Sequence, residues 1–492
     1  MYKDKRNKNI LITILSIISL IMAIMNNSYL VSCLYVGTII VYMLIDDESK
    51  FYDFFYGIFL ITTIFDYVLY IPKVSNIYLF HIVVLLFTLY TLYTIFKNMY
   101  IIDKINKKVI LIYIIWFVYM CVSVTWAKNR MLSIKFLAIY VLMFTFVFDF
   151  MVYNINKARL KRTIMLIVGL VSFISIIGII ESLIGYQLPV VHHYDGMKLM
   201  NTYSHNSLKS RPIAFSFNPN NLAATLGILT PICFVAINEC RNTIGKAFAF
   251  LMSIVSFTVI ILTTSRTGFA AILFGFVSYM VYSFISAKRE KKGLSAVILP
   301  LLLVVAFSIS YSYGYKLLNV RDSDNRRMQS SNDMQNKVDD IDGTDITIGG
   351  EGSINVRVTI INDVINDFIV NKNYRGNGVG NVQQFIKDND NTAGIYSPHC
   401  YPAEILCEFG IFGVLLYGVF YLYIFISNII LGIKKKNAWC IASACSLIAF
   451  APACFGPSSI TYIFSYWIMI GFAVATIQSA KNGEDYRWGG SR

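Results

Sequence analysis

Charged residues are scarce in this chain. They make up 14% of its 492 residues, whereas 56% are hydrophobic, and a soluble domain usually carries about a quarter charged residues. This composition excludes an ordinary soluble protein. Apolar runs of roughly 17 to 25 residues recur along the chain, each long enough for a helix to cross about 30 Å of hydrocarbon. The sequence therefore predicts an all-α polytopic membrane protein.

Two further absences concern processing and cysteine chemistry. The first apolar run ends in MAIMNNS, which lacks a small-x-small cleavage site, and this favours an uncleaved first helix over a secretory signal. The nine cysteines show no C-x-x-C spacing. We interpret them as small core residues and not as metal ligands or disulfide partners. Cys400 is expected to be the cysteine that meets the outer medium.

The apolar runs predict about 12 to 14 spans and one large outer loop. When fourteen are counted, they are centred near residues 17, 37, 61, 86, 118, 142, 172, 228, 253, 276, 303, 417, 446 and 468. The chain then divides into an N-terminal transmembrane scaffold (1–185), a central transmembrane segment (186–314), the outer loop (315–400), C-terminal transmembrane helices (401–480) and a tail (481–492).

Basic residues predict the orientation. The formal net charge is +14, and its clusters follow the fourth, sixth, tenth and twelfth spans. Basic residues in short loops mark the cytoplasmic side, so both termini are expected in the cytoplasm, and the charge does not indicate nucleic acid. The two long loops, about residues 186–218 and 315–400, then lie outside. The protein is expected in the cytoplasmic membrane with its active site facing outward.

Acidic residues suggest either a functional carboxylate within the membrane or a metal-dependent sugar-nucleotide site, and neither is favoured. Carboxylates within spans are functional candidates by default, but Asp66, Asp149 and Glu181 lie near predicted helix ends, where a solvated carboxylate costs little. Two D-x-D pairs in the outer loop are similar to metal-dependent sugar-nucleotide sites. The loop is rich in aspartate throughout, so chance explains the pairs Asp322/Asp324 and Asp388/Asp390.

Three separate stretches place polar groups at the outer face. The first is RPIAFSFNPNN, in which Arg211 precedes Asn218, Pro219, Asn220 and Asn221. Asparagine caps free helix amides and proline suits the first turn. A helix N-terminus beside an arginine makes an anion site.

The second stretch, LTTSRTGF, is a very short connection that holds Ser265 and Arg266 at the membrane edge. The third, YSPHCYPAEILCEFG, places His399 and Tyr401 before Glu404, with Glu408 one helical turn further on. Guanidinium groups match phosphate oxygens in a fork, and histidine can take a proton from a hydroxyl. Transfer of a glycosyl group from a lipid diphosphate needs this combination.

The outer loop also contains a predicted amphipathic helix, INVRVTIINDVINDFIVN, whose apolar residues recur at three-to-four spacing. It is expected to lie on the membrane or on the helix bundle. Arg357 is on its apolar stripe, where it either snorkels or points into a site. The turn YRGNGVGNVQQF follows, and its glycines allow backbone shapes closed to other residues. No strand precedes it, so it is a weak nucleotide loop.

These segments, in this order, resemble the hallmark segments of the O-antigen ligase and polymerase family over roughly residues 205–425. The resemblance implies a GT-C-like, metal-independent, inverting glycosyltransferase without cofactors. Its donor would be an undecaprenyl-diphosphate-linked oligosaccharide at the outer leaflet. Arg211 and Arg266 would bind the diphosphate, Arg357 would assist, and His399 would be the general base or orient the acceptor hydroxyl. The long acidic insertion departs from the family pattern.

We predict a polysaccharide polymerase that makes O-antigen, capsule or exopolysaccharide from lipid-linked repeats and an acceptor glycan, in partnership with a chain-length regulator and a flippase. A ligase that moves finished glycan to another acceptor is the near alternative. A lipid-glycan flippase or transporter should show an internal repeat, and the sequence shows none. An envelope scaffold that docks through the acidic loop remains a third hypothesis.

Overall fold

The computed structural model describes residues 48–65, 78–188, 211–240, 242–290, 295–321, 347–350, 353–392 and 394–482. The first two predicted spans, Asp66, Asp322, Asp324 and the tail from 483 lie outside the described residues. The helices are α1 Glu48–Ile61, α2 Leu79–Lys97, α3 Ile101–Lys104, α4 Lys107–Ser123, α5 Arg130–Tyr153, α6 Lys157–Ile184, α7 Pro219–Glu239, α8 Thr243–Leu262, α9 Arg266–Glu290, α10 Ser295–Arg321, α11 Ser353–Ile369, α12 Val382–Asn389, α13 Tyr401–Lys434, α14 Ala438–Ala453 and α15 Phe464–Lys481.

The polytopic architecture is confirmed. Among the described residues, seven helices are long and apolar enough to cross a membrane, namely α2, α5, α6, α7, α8, α9 and α13, and two shorter apolar helices lie at 298–314 and 438–453. Each span centre predicted from residue 86 onward falls inside a helix. The total number of spans stays a prediction.

Helix α7 is the central helix of the bundle. Nearly all its residues are buried, and it packs against α8, α9 and α14. Small residues join it to α9 in register: Ala223 meets Gly268, Gly227 meets Ala271, and Pro231 meets Gly275. A Cβ atom on Gly268 would lie 2.4 Å from that of Ala223, the close approach that small residues allow between membrane helices. Because the paired numbers rise together, the two helices are parallel and their N-termini lie at one end.

Helix ends that carry basic residues meet at the opposite end of the bundle. The Asn106 backbone N–H donates to Gln478 Oε1 at 3.2 Å, the Asn482 amide donates to the Lys104 carbonyl at 3.3 Å, and Lys435 Nζ donates to the Ala480 carbonyl at 2.6 Å. The ends of α3, α13 and α15 therefore meet on the side away from the N-termini of α7 and α9. This arrangement agrees with the grouping of basic clusters in the sequence, and the cytoplasmic assignment of that end stays a prediction.

Helix α13 is broken at Gly410, where φ is 58° and ψ is −153°. In a straight helix Tyr401 and Tyr417 would be about 24 Å apart, yet their ring centroids are 5.3 Å apart. The segment before Gly410 therefore turns back beside the segment after it. The Tyr374 carbonyl accepts from the Ile411 N–H at 3.0 Å at this break. Non-helical backbone at membrane depth is tolerated where protein buries it.

We predict that Gly410→Ala disrupts this hairpin. A Cβ atom there would lie 2.0 Å from the Tyr374 carbonyl oxygen, and the backbone conformation itself costs other residues about 1–3 kcal/mol. The midpoint of thermal unfolding in detergent should fall clearly. Gly418→Ala is the matched control in the same helix, because no atom lies within 4 Å of its added Cβ. An unchanged midpoint in Gly410→Ala would contradict the break.

Two carboxylates differ from the sequence-based interpretation. Asp149 and Glu181 were expected to be solvated at helix ends, and both are buried. Thr88 Oγ1 donates to Asp149 at 2.7 Å. The Glu181 carboxylate accepts from the backbone N–H groups of Leu188, Ile213 and Ala214 at 2.7–2.8 Å. The interpretation of both as structural is retained, but its basis is hydrogen bonding and not solvation: Asp149 binds Thr88 of α2, and Glu181 binds the chain before α7.

Candidate active site

The connection between α8 and α9 is as short as predicted. Helix α8 ends at Leu262 and α9 begins at Arg266. Thr264 takes a positive φ of 57° in this turn, and Ser265 Oγ accepts from the Gly268 N–H at 3.4 Å. Ser265 thereby satisfies one free amide of the first turn. Arg266 is half-buried at the N-terminus of α9, at the same end of the bundle as the N-terminus of α7.

His399 lies on a tight turn against the chain that joins α14 to α15. Its φ is 48°, a conformation that few non-glycine residues adopt. Its backbone N–H donates to the Ser458 carbonyl at 3.2 Å, and its Nδ1 lies 3.4 Å from the Gly456 carbonyl oxygen. Gly456 in turn touches the residue after Arg266, since a Cβ atom there would lie 2.5 Å from Thr267 Oγ1. The turn that contains Gly456 therefore contacts both His399 and the start of α9.

The amphipathic helix forms as predicted and lies on the bundle. Its buried residues Val356, Ile360 and Val364 pack in one cluster with Cys400, Ala403 and Cys407. The end of the predicted apolar stripe is not covered, because Ile365 and Ile369 are 42% and 61% exposed. This docking turns the side of α11 that carries Arg357 toward the His399 turn.

Arg357 points into the site and does not snorkel. Its Nε is buried and has no hydrogen-bond partner within the part of the chain that is described. Burial lowers the pKa of Arg357 below its ordinary value, and the positive charge of Arg266 lowers it further, whereas Cys400 raises it. Arg266, Arg357 and Cys400 are therefore close neighbours. Two guanidinium groups near each other in a partly buried site are suited to binding an anion.

The expectation that Cys400 meets the outer medium is wrong. Its side chain is buried under α11, and burial raises the pKa of its thiol. Cys121 is the exposed cysteine among those described. The reason is the docking of α11, which covers the start of α13.

The N-terminus of α7 forms as the N-P-N-N motif predicts. Asn218 is the N-cap, and its side chain accepts from the Asn221 N–H at 2.9 Å, with Pro219 at the first helical position. Asn220 is half-buried. Asn221 lines a cavity of about 30 Å³, large enough for a single water. Asn221 is thus a lining residue of a water-sized space.

Arg211 lies before this N-cap, at the same end of the bundle. Its carbonyl accepts from Gln187 Nε2 at 2.5 Å, and the next residues are fixed through Glu181. This positions the chain between Arg211 and α7. The contact of the Arg211 guanidinium with the other three site residues stays a prediction.

Two of the supporting residues lie beneath the site. Tyr401 is buried among aromatic rings, with Tyr466 at 5.5 Å and Phe450 at 6.2 Å between ring centroids. Glu404 is buried and accepts from Ser459 Oγ at 2.6 Å. Tyr401 and Glu404 therefore join the start of α13 to α14, α15 and the chain between them.

The residues between α14 and α15 were not selected from the sequence, although they contact His399. The stretch FGPSSITY contains Gly-Pro and Ser-Ser, a composition typical of a turn. That signal indicates only a connection. Contact with His399 arises from the α13 hairpin, which nothing in the local sequence specifies.

The D-x-D pair described by the structure has an ordinary role. Lys128 donates a hydrogen bond to Asp388, which lowers the pKa of that carboxyl below its usual range. Asp390 is the C-cap of α12. No group of three or more His, Cys, Asp or Glu residues suited to a metal ion occurs in the described ranges. Metal independence stays a prediction.

Parallel apolar helices, one of which begins at Arg266 near Arg357 and His399, define a polytopic membrane protein with basic side chains gathered at one end. The family model for O-antigen ligase matches residues 251–418, a range that contains Arg266, Arg357 and His399. The chain is also 24% identical over 387 residues to the teichuronic acid biosynthesis protein TuaE of Bacillus subtilis (strain 168), which covers 75% of this chain and 72% of that protein.

These findings confirm the predicted resemblance to the O-antigen ligase and polymerase family and support a function of that type in polysaccharide biosynthesis.

Proposed function

We propose that the protein is a polysaccharide polymerase that joins undecaprenyl-diphosphate-linked oligosaccharide repeats at the outer face of the cytoplasmic membrane. The observation that carries this proposal is the pairing of Arg266 with the buried Arg357 beside His399. The charge and forked geometry of two guanidinium groups match the oxygen atoms of a diphosphate. The relationship to a protein of teichuronic acid biosynthesis supports polymer formation.

The arginines would act on the leaving group. As the anomeric bond breaks, negative charge grows on the diphosphate, and cations already in place stabilise the transition state more than the ground state. The N-termini of α7 and α9 lie at the same end and add their partial positive charge. Arg211 is proposed as a third member of this clamp because it precedes α7.

His399 would act on the acceptor hydroxyl. In the tautomer whose Nδ1–H donates to the Gly456 carbonyl, Nε2 carries the lone pair and can take the hydroxyl proton. The hydroxyl oxygen then attacks the anomeric carbon from the face opposite the diphosphate. The glycosidic bond forms as the bond to the diphosphate breaks, with inversion at the anomeric carbon.

Ligation to a different acceptor is the second candidate function, because the matching family model is described as O-antigen ligase. The same arginines and histidine would serve both reactions. Only the acceptor differs: another lipid-linked glycan for a polymerase, and a separate envelope molecule for a ligase.

The test uses purified full-length protein and undecaprenyl-diphosphate oligosaccharide, with chelator and without nucleotide. We expect lipid-linked products lengthened by whole repeats. Addition of a lipid A core or a teichoic acid acceptor should not divert the glycan if the protein is a polymerase. No product in chelator, restored by a divalent metal, would overturn the metal-independent mechanism, and transfer to the separate acceptor alone would favour ligation.

A further inference from the structure

A second cavity of about 550 Å³ lies at the same end of the bundle as the arginines. It is lined by Trp126 and Lys128 from the α4–α5 connection and by residues 371–377 from the chain after α11. We propose that this cavity binds an acidic stretch of the acceptor or product glycan. This inference rests on the proposed function, to which it adds a second glycan site and the charge of the substrate.

The cavity wall is held by several hydrogen bonds. Trp126 Nε1 donates to the Gly376 carbonyl at 3.2 Å, and the Asn377 backbone N–H donates to the Cys407 carbonyl at 2.7 Å. Tyr119 OH donates to the Arg375 carbonyl at 3.1 Å. Gly376 has a φ of 77° and leaves no room for a Cβ atom against Glu408. The segment is therefore docked on α4 and α13, which preorganises the cavity.

The asparagines of this segment present oxygen atoms to a ligand. The side-chain amide nitrogens of Asn371, Asn373 and Asn377 donate to the Asp367 carboxylate at 3.1, 2.8 and 3.0 Å. This fixes the side chains and occupies one amide hydrogen of Asn371 and both of Asn373 and Asn377, which also donate to Asn377 Oδ1 and the Cys407 carbonyl, respectively. The amide oxygens of Asn371 and Asn373 are then the groups suited to accept hydrogen bonds, and sugar hydroxyls are the matching donors.

The positive charge of the cavity indicates an anionic sugar. Arg375 lies over the Trp126 ring at 5.4 Å, and Lys372 follows Asn371 on the exposed side. Lys128 pairs with Asp388, but no acidic partner of Lys372 or Arg375 is found in the described chain. Guanidinium and ammonium groups bind carboxylate or phosphate. Tyr374, 52% exposed, adds an aromatic surface.

A lipid headgroup would use the same cations but fits less well. Amide oxygens repel phosphate oxygens, whereas they accept hydroxyl groups. An acidic oligosaccharide can bind the cationic side chains through its carboxylates and the asparagine oxygens through its hydroxyl groups.

The position of the cavity suits a chain that leaves the reaction site. Its Tyr374 contacts the break at Gly410, while Tyr401, next to the His399 turn, lies beside Tyr417. Tyr417 is seven positions beyond Gly410 along the helix, a rise of about 10 Å. A glycan engaged near His399 could therefore extend into the cavity.

Binding is tested with full-length protein in phosphatidylcholine nanodiscs by calorimetry. The probes are hexagalacturonate, which is acidic, and maltohexaose, which is neutral and of equal length. We expect saturable binding of hexagalacturonate only. Arg375→Gln combined with Lys372→Asn should weaken it by about tenfold or more. Asparagine suits the positive φ of 56° at position 372. Lys481→Gln, at the opposite end of the bundle, is the matched control.

Equal binding of both sugars, no binding, or binding unaffected by the double variant would overturn the proposal. So would nanodiscs with phosphatidylglycerol that abolish glycan binding, since the site would then be a lipid site. The double variant is also assayed for chain extension. It should keep the first transfer but give shorter products. Failure of wild-type extension would instead count against the proposed function, so the two outcomes are separable.

Discussion

Arg357→Ala is expected to lower turnover in glycosyl transfer by about 10²–10³-fold, or about 2.7–4 kcal/mol, the effect of removing one preorganised donor to a developing oxyanion. The guanidinium is partly buried, and its Nε lacks a protein partner among the described residues. A charge interacts more strongly in such a site than in water. The effect should appear in kcat, measured as the rate of product lengthening at saturating donor.

Melting temperatures distinguish a role of Arg357 in binding the diphosphate from a structural role. Without donor, Arg357 is beside the like charge of Arg266, so Arg357→Ala should melt at the same temperature as wild type or higher. Inorganic pyrophosphate should raise the melting temperature of wild type and have less effect on the variant. Arg357→Lys should retain part of the activity, because lysine keeps the charge but not the fork.

Arg130→Ala is the control for loss of an arginine at the end of the bundle that holds Arg266 and Arg357. Arg130 is exposed and donates to the Thr125 carbonyl at 3.3 Å, so its removal should leave turnover unchanged. Arg266→Ala should resemble Arg357→Ala, and the double variant should lose less than the sum of both, since the two act as one clamp. A destabilised but active Arg357→Ala would contradict the clamp.

The sequence predicts well those features that depend on neighbouring residues. Hydrophobic runs predicted the long helices, and Asn218 with Pro219 predicted the start of α7, because capping is a local interaction. The spacing in INVRVTIINDV predicted α11 and placed Arg357 on its apolar side. The turn glycines predicted backbone with positive φ, which Gly376, Gly378 and Gly380 adopt.

Features set by distant contacts were not predictable in this way. The hairpin at Gly410 depends on the Tyr374 carbonyl entering the break, 36 residues earlier in the chain. Burial of Asp149 and Glu181 depends on the packing of other elements around them. The contact of His399 with Gly456 joins the turn before α13 to the connection between α14 and α15. In each case a single sequence shows the residue but not its partner.

His399→Asn is expected to reduce turnover by about 10²–10⁴-fold, the usual contribution of a positioned general base. Asparagine tolerates the positive φ that this position requires, so the turn should keep its shape and the protein its melting temperature. The residual activity should also lose the rise with pH that accompanies deprotonation of an imidazole. Turnover across pH 5 to 8 and melting curves are the two measurements.

His399→Gly completes the test because glycine relieves the backbone at φ 48° and leaves space for a small base. Added imidazole should then restore part of the activity in the glycine variant and none in His399→Asn, where the side chain occupies the site. Full activity in either variant without imidazole would remove His399 from the reaction. Parallel loss of stability and activity in both would assign the residue to the turn with Gly456 and Ser458 alone.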